Sequence, residues 1–176
     1  IQYIKEMNLT VEELNLKGNK LTNESCIMLS KLLYNNYNIK ELNIEWNLFV
    51  KHTNLELLFN SLKYSSLKHI NFRSNKIDDS SCDILCNFIV SNSLLESLDF
   101  GWNELTDISG NKIKDALVLN KNIIKLELRG NKISDKIFES IETIIESNKE
   151  RNKNKVDPDE KQIKSNSDNR NITETI

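Results

Sequence analysis

Trp46 and Trp102 are the only tryptophans of this chain, and Ser74 stands midway between them, 28 residues from each. Gly18 and Gly130 extend the same interval outward. One residue earlier the interval selects Lys17, Glu45, Arg73, Gly101 and Arg129. Indole and guanidinium groups are the commonest anchors of protein interfaces, because each buries a broad flat surface while keeping a hydrogen-bond donor or a charge. The chemistry these types suggest is reversible recognition. Trp46, Trp102 and Arg73 form the expected centre, with Glu45, Arg129, Ser74, His69 and Asp99 around it. A second reading needs no partner: each indole lies over the Gly or Ser of its neighbour and seals an edge.

Catalytic chemistry is poorly provided for. His69 shares the 28-residue interval with Glu41 and Ser97, which puts a carboxylate, an imidazole and a hydroxyl in one series. Each comes from a separate segment, with no nucleophile turn, no oxyanion donors and no enclosing pocket foreseen, so no catalytic residue is expected. Asp78, Asp79, Asp107 and Asp135 recur near expected helix starts. The helix dipole favours acids there, which accounts for them without a metal. Cys26, Cys82 and Cys86 are an odd number, and no histidine completes a ligand set beside them. They read as small buried residues, with no metal and no cofactor. Asparagine is abundant throughout and reads as a composition bias.

The interval that groups these residues is a repeat. VEELNLKGNKL from Val11 returns as IKELNIEWNLF from Ile39, LKHINFRSNKI from Leu67, LESLDFGWNEL from Leu95 and IIKLELRGNKI from Ile123. A fixed period of this length is the mark of a solenoid. Leu14 and Leu16 alternate with polar Glu13, Asn15 and Lys17, which predicts a short strand with one buried face. Asn19, Asn47, Asn75, Asn103 and Asn131 follow at the turn. An amide has two donors and an acceptor on a short stem, so a stack of them predicts a ladder bridging neighbouring repeats.

A helix is predicted next. Thr22, Asp78, Thr106 and Ser134 occupy the N-cap position. Met28, Leu29, Leu32 and Leu33 keep helical spacing, as do Leu85, Phe88 and Ile89, and then Phe138, Ile141, Ile144 and Ile145. In the second repeat Leu55, Leu58, Phe59 and Leu62 run one residue out of phase, and an irregular turn is expected at Val50-Lys51-His52. Gly110 at a helical position costs about 1 kcal/mol against Ala, which makes the fourth helix the softest expected. One strand and one helix per repeat require parallel strands with right-handed connections. The fold class is an α/β solenoid, with strands on a concave face and helices on a convex one. Four columns should line the strand side: Glu13, Glu41, His69, Ser97 and Lys125; Asn15, Asn43, Asn71, Asp99 and Glu127; then the two columns already named.

These phrases resemble the leucine-rich repeats of the ribonuclease-inhibitor type, whose strand-plus-helix units are about as long. The resemblance covers residues 1–149, as a partial repeat 1–10 and full repeats 11–38, 39–66, 67–94, 95–122 and 123–150. Residues 151–176 are polar, contain the only proline and read as a disordered tail. The resemblance implies a scaffold or adaptor that binds a protein partner on its concave face, as a monomer, in a cytoplasmic, cytoskeletal or ciliary setting. It also admits a regulator of a small GTPase, like the Ran GTPase-activating protein, or the ligand-sensing half of a larger receptor. A formal net charge of −2 gives no general bias toward nucleic acid or anionic membrane. No apolar run reaches the roughly 20 residues of a spanning helix.

Overall fold

The computed structural model describes residues 10–34, 36–49, 54–63 and 65–155. The partial repeat up to residue 9, the turn at Val50-Lys51-His52 and residues 156–176 lie outside the described residues.

Strands and helices alternate along the chain: β1 (Glu13–Asn15), α1 (Ser25–Leu33), β2 (Glu41–Asn43), α2 (Leu55–Leu62), β3 (His69–Asn71), α3 (Cys82–Ser91), β4 (Ser97–Asp99), α4 (Asp107–Leu119), β5 (Lys125–Glu127) and α5 (Asp135–Lys155). A short 3-10 turn, Asp79–Ser81, leads into α3. The strands form one sheet in chain order, every pair parallel. The register advances by one repeat at each step, so Glu13, Glu41, His69, Ser97 and Lys125 stand side by side. The chain is an α/β solenoid of strand-and-helix repeats.

Burial explains why each strand is so short. Only its middle residue (Leu14, Leu42, Ile70 or Leu98) and the next apolar one (Ile44, Phe72 or Phe100) enter the core. The helices close the other side with Leu29, Leu32 and Leu33, then Leu55, Leu58, Phe59 and Leu62, then Leu85, Phe88 and Ile89. Phe59 touches Phe72 and Phe88, and Phe72 stacks on Phe100 with centroids 4.9 Å apart. Each such side chain contributes about 1.5–3 kcal/mol by leaving water. The out-of-phase apolar residues of α2 are all fully buried, so the helix has turned to suit its sequence.

Details depart from the sequence pattern. Met28 is exposed, and Cys26 takes its expected place in the core. Asp78 and Thr106 cap with their side chains, accepting from the Ser80 and Ile108 N–H groups. Thr22 does not, since α1 begins at Ser25 without a side-chain cap and the Ser25 hydroxyl accepts from the Thr22 N–H. Ser134 gives its own N–H to Asp107 Oδ1 at 2.6 Å. The last helix continues to Lys155, so residues 151–155, expected in the disordered tail, are helical. Asn152 ties this extension back to the Lys121 carbonyl. Gly110 is buried where a Cβ would lie 2.9 Å from Ile137 Cγ2 and 3.0 Å from Ile133 Cγ2, so its bareness admits the next repeat.

Candidate functional site

Two adjacent columns close each strand, and they are built on opposite terms. In the first, Asn47, Asn75 and Asn103 are buried. The Asn75 amide donates to the Ile44 carbonyl of the preceding repeat at 3.1 Å and to Phe72 at 2.9 Å, while its oxygen accepts from the Phe49 N–H. Asn103 does the same toward Phe72, Phe100 and Ile77. Asn131 does so toward Phe100, Leu128 and Leu105. Asn47 bonds Leu16, Ile44 and the N–H groups of Asn19 and Leu21. The carbonyls of Ile44, Phe72 and Phe100 thus each receive two asparagines. Asn19, first in the series, is exposed, and its side-chain amide donates to the Lys17 carbonyl.

The residue just before each asparagine has left-handed backbone. Gly18 has φ 70°, Trp46 56°, Ser74 54°, Trp102 54° and Gly130 81°. The two glycines in this column were the sequence signal for that conformation, and the pattern reading passed over it. For a bulky residue it is an outlier, costing about 1–2 kcal/mol. Both indoles are nonetheless exposed, Trp46 by 64% and Trp102 by 59%. Trp102 lies over Gly130, where a Cβ would come within 2.6 Å of indole Cδ2. Gly18, one repeat before Trp46, has nothing within 4 Å of a Cβ, so Trp46 does not lie back over it; the residue one repeat after Trp46 is Ser74. The Trp46 ring has the Lys17 ammonium 6.0 Å from its centroid.

Charged residues of the neighbouring column are cross-linked along the sheet. Lys17 meets Glu45 at 2.9 Å, and Asn71 donates to the same Glu45 oxygen at 3.3 Å. Arg73 reaches Asp99 at 3.7 Å by passing over Gly101, where a Cβ would lie 2.7 Å from Nη1. Arg73 therefore leans across the sheet toward the fourth repeat. Arg129 pairs with Glu142 on α5 at 3.8 Å, both exposed. Burial pushes the Asp99 carboxyl above its ordinary range; the Gly101 N–H and Arg73 oppose that, and Glu127 and Glu45 add to it.

A shallow groove of about 300 Å³ runs along the first two columns, lined by Glu13, Glu41, His69, Asn43, Asn71, Ser97, Asp99 and Lys125 among others. Trp46, Trp102 and Ser74 stand beyond it at the strand-exit rim. Glu41, His69 and Ser97 are in register, but no hydrogen bond joins them among the described residues. Cys82 and Cys86 have sulfurs 3.7 Å apart, and the hydrogen bond between them holds the Cys82 thiol below its ordinary range. Burial raises the Cys26 thiol to about 12. No three His, Cys, Asp or Glu side chains among the described residues gather as a metal site. No described helix is long and apolar enough to cross a membrane.

Two further bridges between repeats escaped the pattern. Asn92, Asn120 and Asn148 follow one another at the period and are buried. Asn92 donates to Leu62, Asn120 to Ile89 and Asn92, and Asn148 to Asn120 and Ile123. Asn36 begins this series and already turns its oxygen to the Asn38 and Ile39 N–H groups. These asparagines are architectural, and the 28-residue register could have found them. The second bridge is Asp79, which accepts from the Thr106 N–H at 2.9 Å and from the Thr106 and Ser109 hydroxyls. Asp107 repeats it one unit on. These acids cap the next helix as well as facing their own dipole.

The Leucine Rich repeat family model matches residues 8–30, 65–86, 91–113 and 119–141, together just over half of the chain. The interval it passes over holds α2, whose apolar phase is shifted. A search of curated protein sequences finds no match. Among 41 matching solved chains, one described as "Leiomodin-1 Actin-Binding Site 2 (ABS2)" has a TM-score of 0.78 at 16% identity, over 92% of this chain and 94% of that one. At that identity the likeness speaks of the fold.

Proposed function

From a chain that belongs to the leucine-rich repeat family, we infer a protein-binding module that meets its partner on the concave sheet face and its strand-exit rim. The observation that carries this reading is the rim. Trp46 and Trp102 hold exposed indoles on left-handed backbone, where glycine would sit without strain. Strain retained at an exposed aromatic residue is what recognition would keep and what stability alone would remove. Arg73, Glu45, Asp99, Ser74, His69 and Arg129 surround the two indoles or the groove beside them.

The 28-residue period with one helix per repeat supports the ribonuclease-inhibitor-like subgroup. The likeness to a chain named for an actin-binding site supports a cytoplasmic scaffold with cytoskeletal partners among the candidates. Binding without catalysis is the reading the open, unlinked Glu41–His69–Ser97 series supports best. A pull-down comparing the chain with a Trp46→Ala, Trp102→Ala double variant tests the inference. The expected result is a protein captured by the first and lost by the second, with the far-UV spectrum unchanged. Equal capture by both would make the tryptophans edge seals.

A further inference from the structure

The concave face carries a charge imbalance that its own ion pairs leave in place. Glu13 and Glu41 stand directly opposite on β1 and β2, both exposed. Neither joins an ion pair among the described residues, whereas Lys17, Arg73 and Arg129 are engaged with Glu45, Asp99 and Glu142. Like charges paired across adjacent strands, about 4.8 Å apart, destabilise a sheet. Lys125, the remaining cation of the groove, stands on β5, three strands from Glu41. The upward push of Glu45 and Glu127 on Asp99 has the sign of the same negative field.

At the second repeat this acidic stretch adjoins an exposed aromatic ring. Trp46 follows Glu45 directly, and the Lys17 ammonium rests 2.9 Å from Glu45 Oε2 and 6.0 Å from the indole centroid. A cation on a flexible stem is therefore accommodated between this carboxylate and this ring, at the outer reach of a cation–π contact. Lys17 is itself about half exposed.

Resting on the concave-face reading above, we propose that the partner presents a basic segment, rich in arginine or lysine, to the N-terminal half of the sheet. One cationic side chain lies between Glu13 and Glu41 in the groove. Another stacks on the face of Trp46. The carboxylates that repel one another in the free protein then attract the partner, so this pairing supplies specificity and association rate.

The test uses fluorescence anisotropy of the intact chain with two labelled peptides of equal length at about 0.15 M salt, where weak surface attraction is screened. One peptide carries arginine and lysine spaced by glycine and serine; the other has glutamate at each basic position. Three proteins are compared: the chain itself, Glu13→Gln/Glu41→Gln, and the convex control Asp115→Asn/Glu139→Gln. The inference expects the basic peptide to bind, about tenfold more weakly to the concave variant and within about twofold to the control. The glutamate peptide should not bind. Equal weakening by both variants, no binding of the basic peptide, or preference for the glutamate peptide overturns it. If Trp46→Ala/Trp102→Ala loses a captured partner that Glu13→Gln/Glu41→Gln retains, the concave-face reading stands and the basic partner falls.

Discussion

The asparagine column and the column one residue before it share a turn, a period and a sheet edge, yet they obey different rules. Positions 19, 47, 75, 103 and 131 hold one residue type, and the three central side chains are buried and bonded on both sides. Positions 18, 46, 74, 102 and 130 hold Gly, Trp, Ser, Trp and Gly, all on left-handed backbone. Exchange in the first column would strand backbone groups inside the protein. The second column points outward, so its side chains can vary while its backbone cannot. Constancy in a solenoid therefore marks where repeats are joined, and variation on a fixed, strained backbone marks where they can be used.

The largest expected effect lies in the constant column. Asn75→Ala removes the acceptor of the buried Phe49 N–H and the bridge from the third repeat to Ile44. Loss of about 1–3 kcal/mol is expected from denaturant unfolding. A change below about 0.5 kcal/mol would show that the ladder fills space without holding repeats together. In the variable column, Gly130→Ala puts a Cβ on left-handed backbone and within 2.6 Å of the Trp102 indole. A loss of about 1–2 kcal/mol and a change in tryptophan fluorescence are expected. An unchanged melt and spectrum would mean that Trp102 does not rest on Gly130.

A smaller effect separates the helix side from both columns. Desolvation acts to raise the Asp79 carboxyl, but the hydrogen bonds from Ser109 and Thr106 outweigh it and hold the group below its ordinary range. With the folded value lower than the unfolded one near 3.9, its contribution is present above that pH and is lost as pH falls through the folded value. Asp79→Asn should lower stability at neutral pH and leave strongly acid pH little changed, which flattens the acid limb of the stability profile. An acid limb identical to that of the unaltered chain would mean that the Asp79 bridge to Thr106 and Ser109 does not favour the ionised carboxylate.

The repeat made the architecture readable because its period fixes strand register: once Glu13 is set against Glu41, every later column follows. What the period could not convey was conformation at a single position. Gly18 and Gly130 hinted at positive φ, but Trp46 and Trp102 at the same register argued for a residue chosen by size. The Asn92, Asn120 and Asn148 bridge was obscured by the abundance of asparagine and by Tyr64 interrupting its series after Asn36. The direction of Arg73 depends on Gly101 leaving room in the next repeat, a contact between two columns that neither column displays alone.

The smallest effect discriminates most. Trp46→Gly and Trp102→Gly remove the same side chain from the same backbone and relieve the same strain of about 1–2 kcal/mol. Glycine also adds freedom to the unfolded chain, which takes back about 0.5–1 kcal/mol. Beyond that the two positions part. Trp102 gives up its contact with Gly130 in the next repeat, whereas Trp46 precedes Ser74 there, leaves Gly18 uncovered and has the Lys17 ammonium 6.0 Å from its ring. Trp46→Gly should therefore leave the unfolding free energy from denaturant titration within about 0.5 kcal/mol of the original or raise it, and Trp102→Gly should fall about 1 kcal/mol below it. With that order, Trp46 is held against its own backbone preference for something outside the molecule, and Trp102 serves the last repeat as well. Equal losses above about 1.5 kcal/mol in both would make the whole column an edge seal, and the difference between the two columns would reduce to one between two kinds of packing.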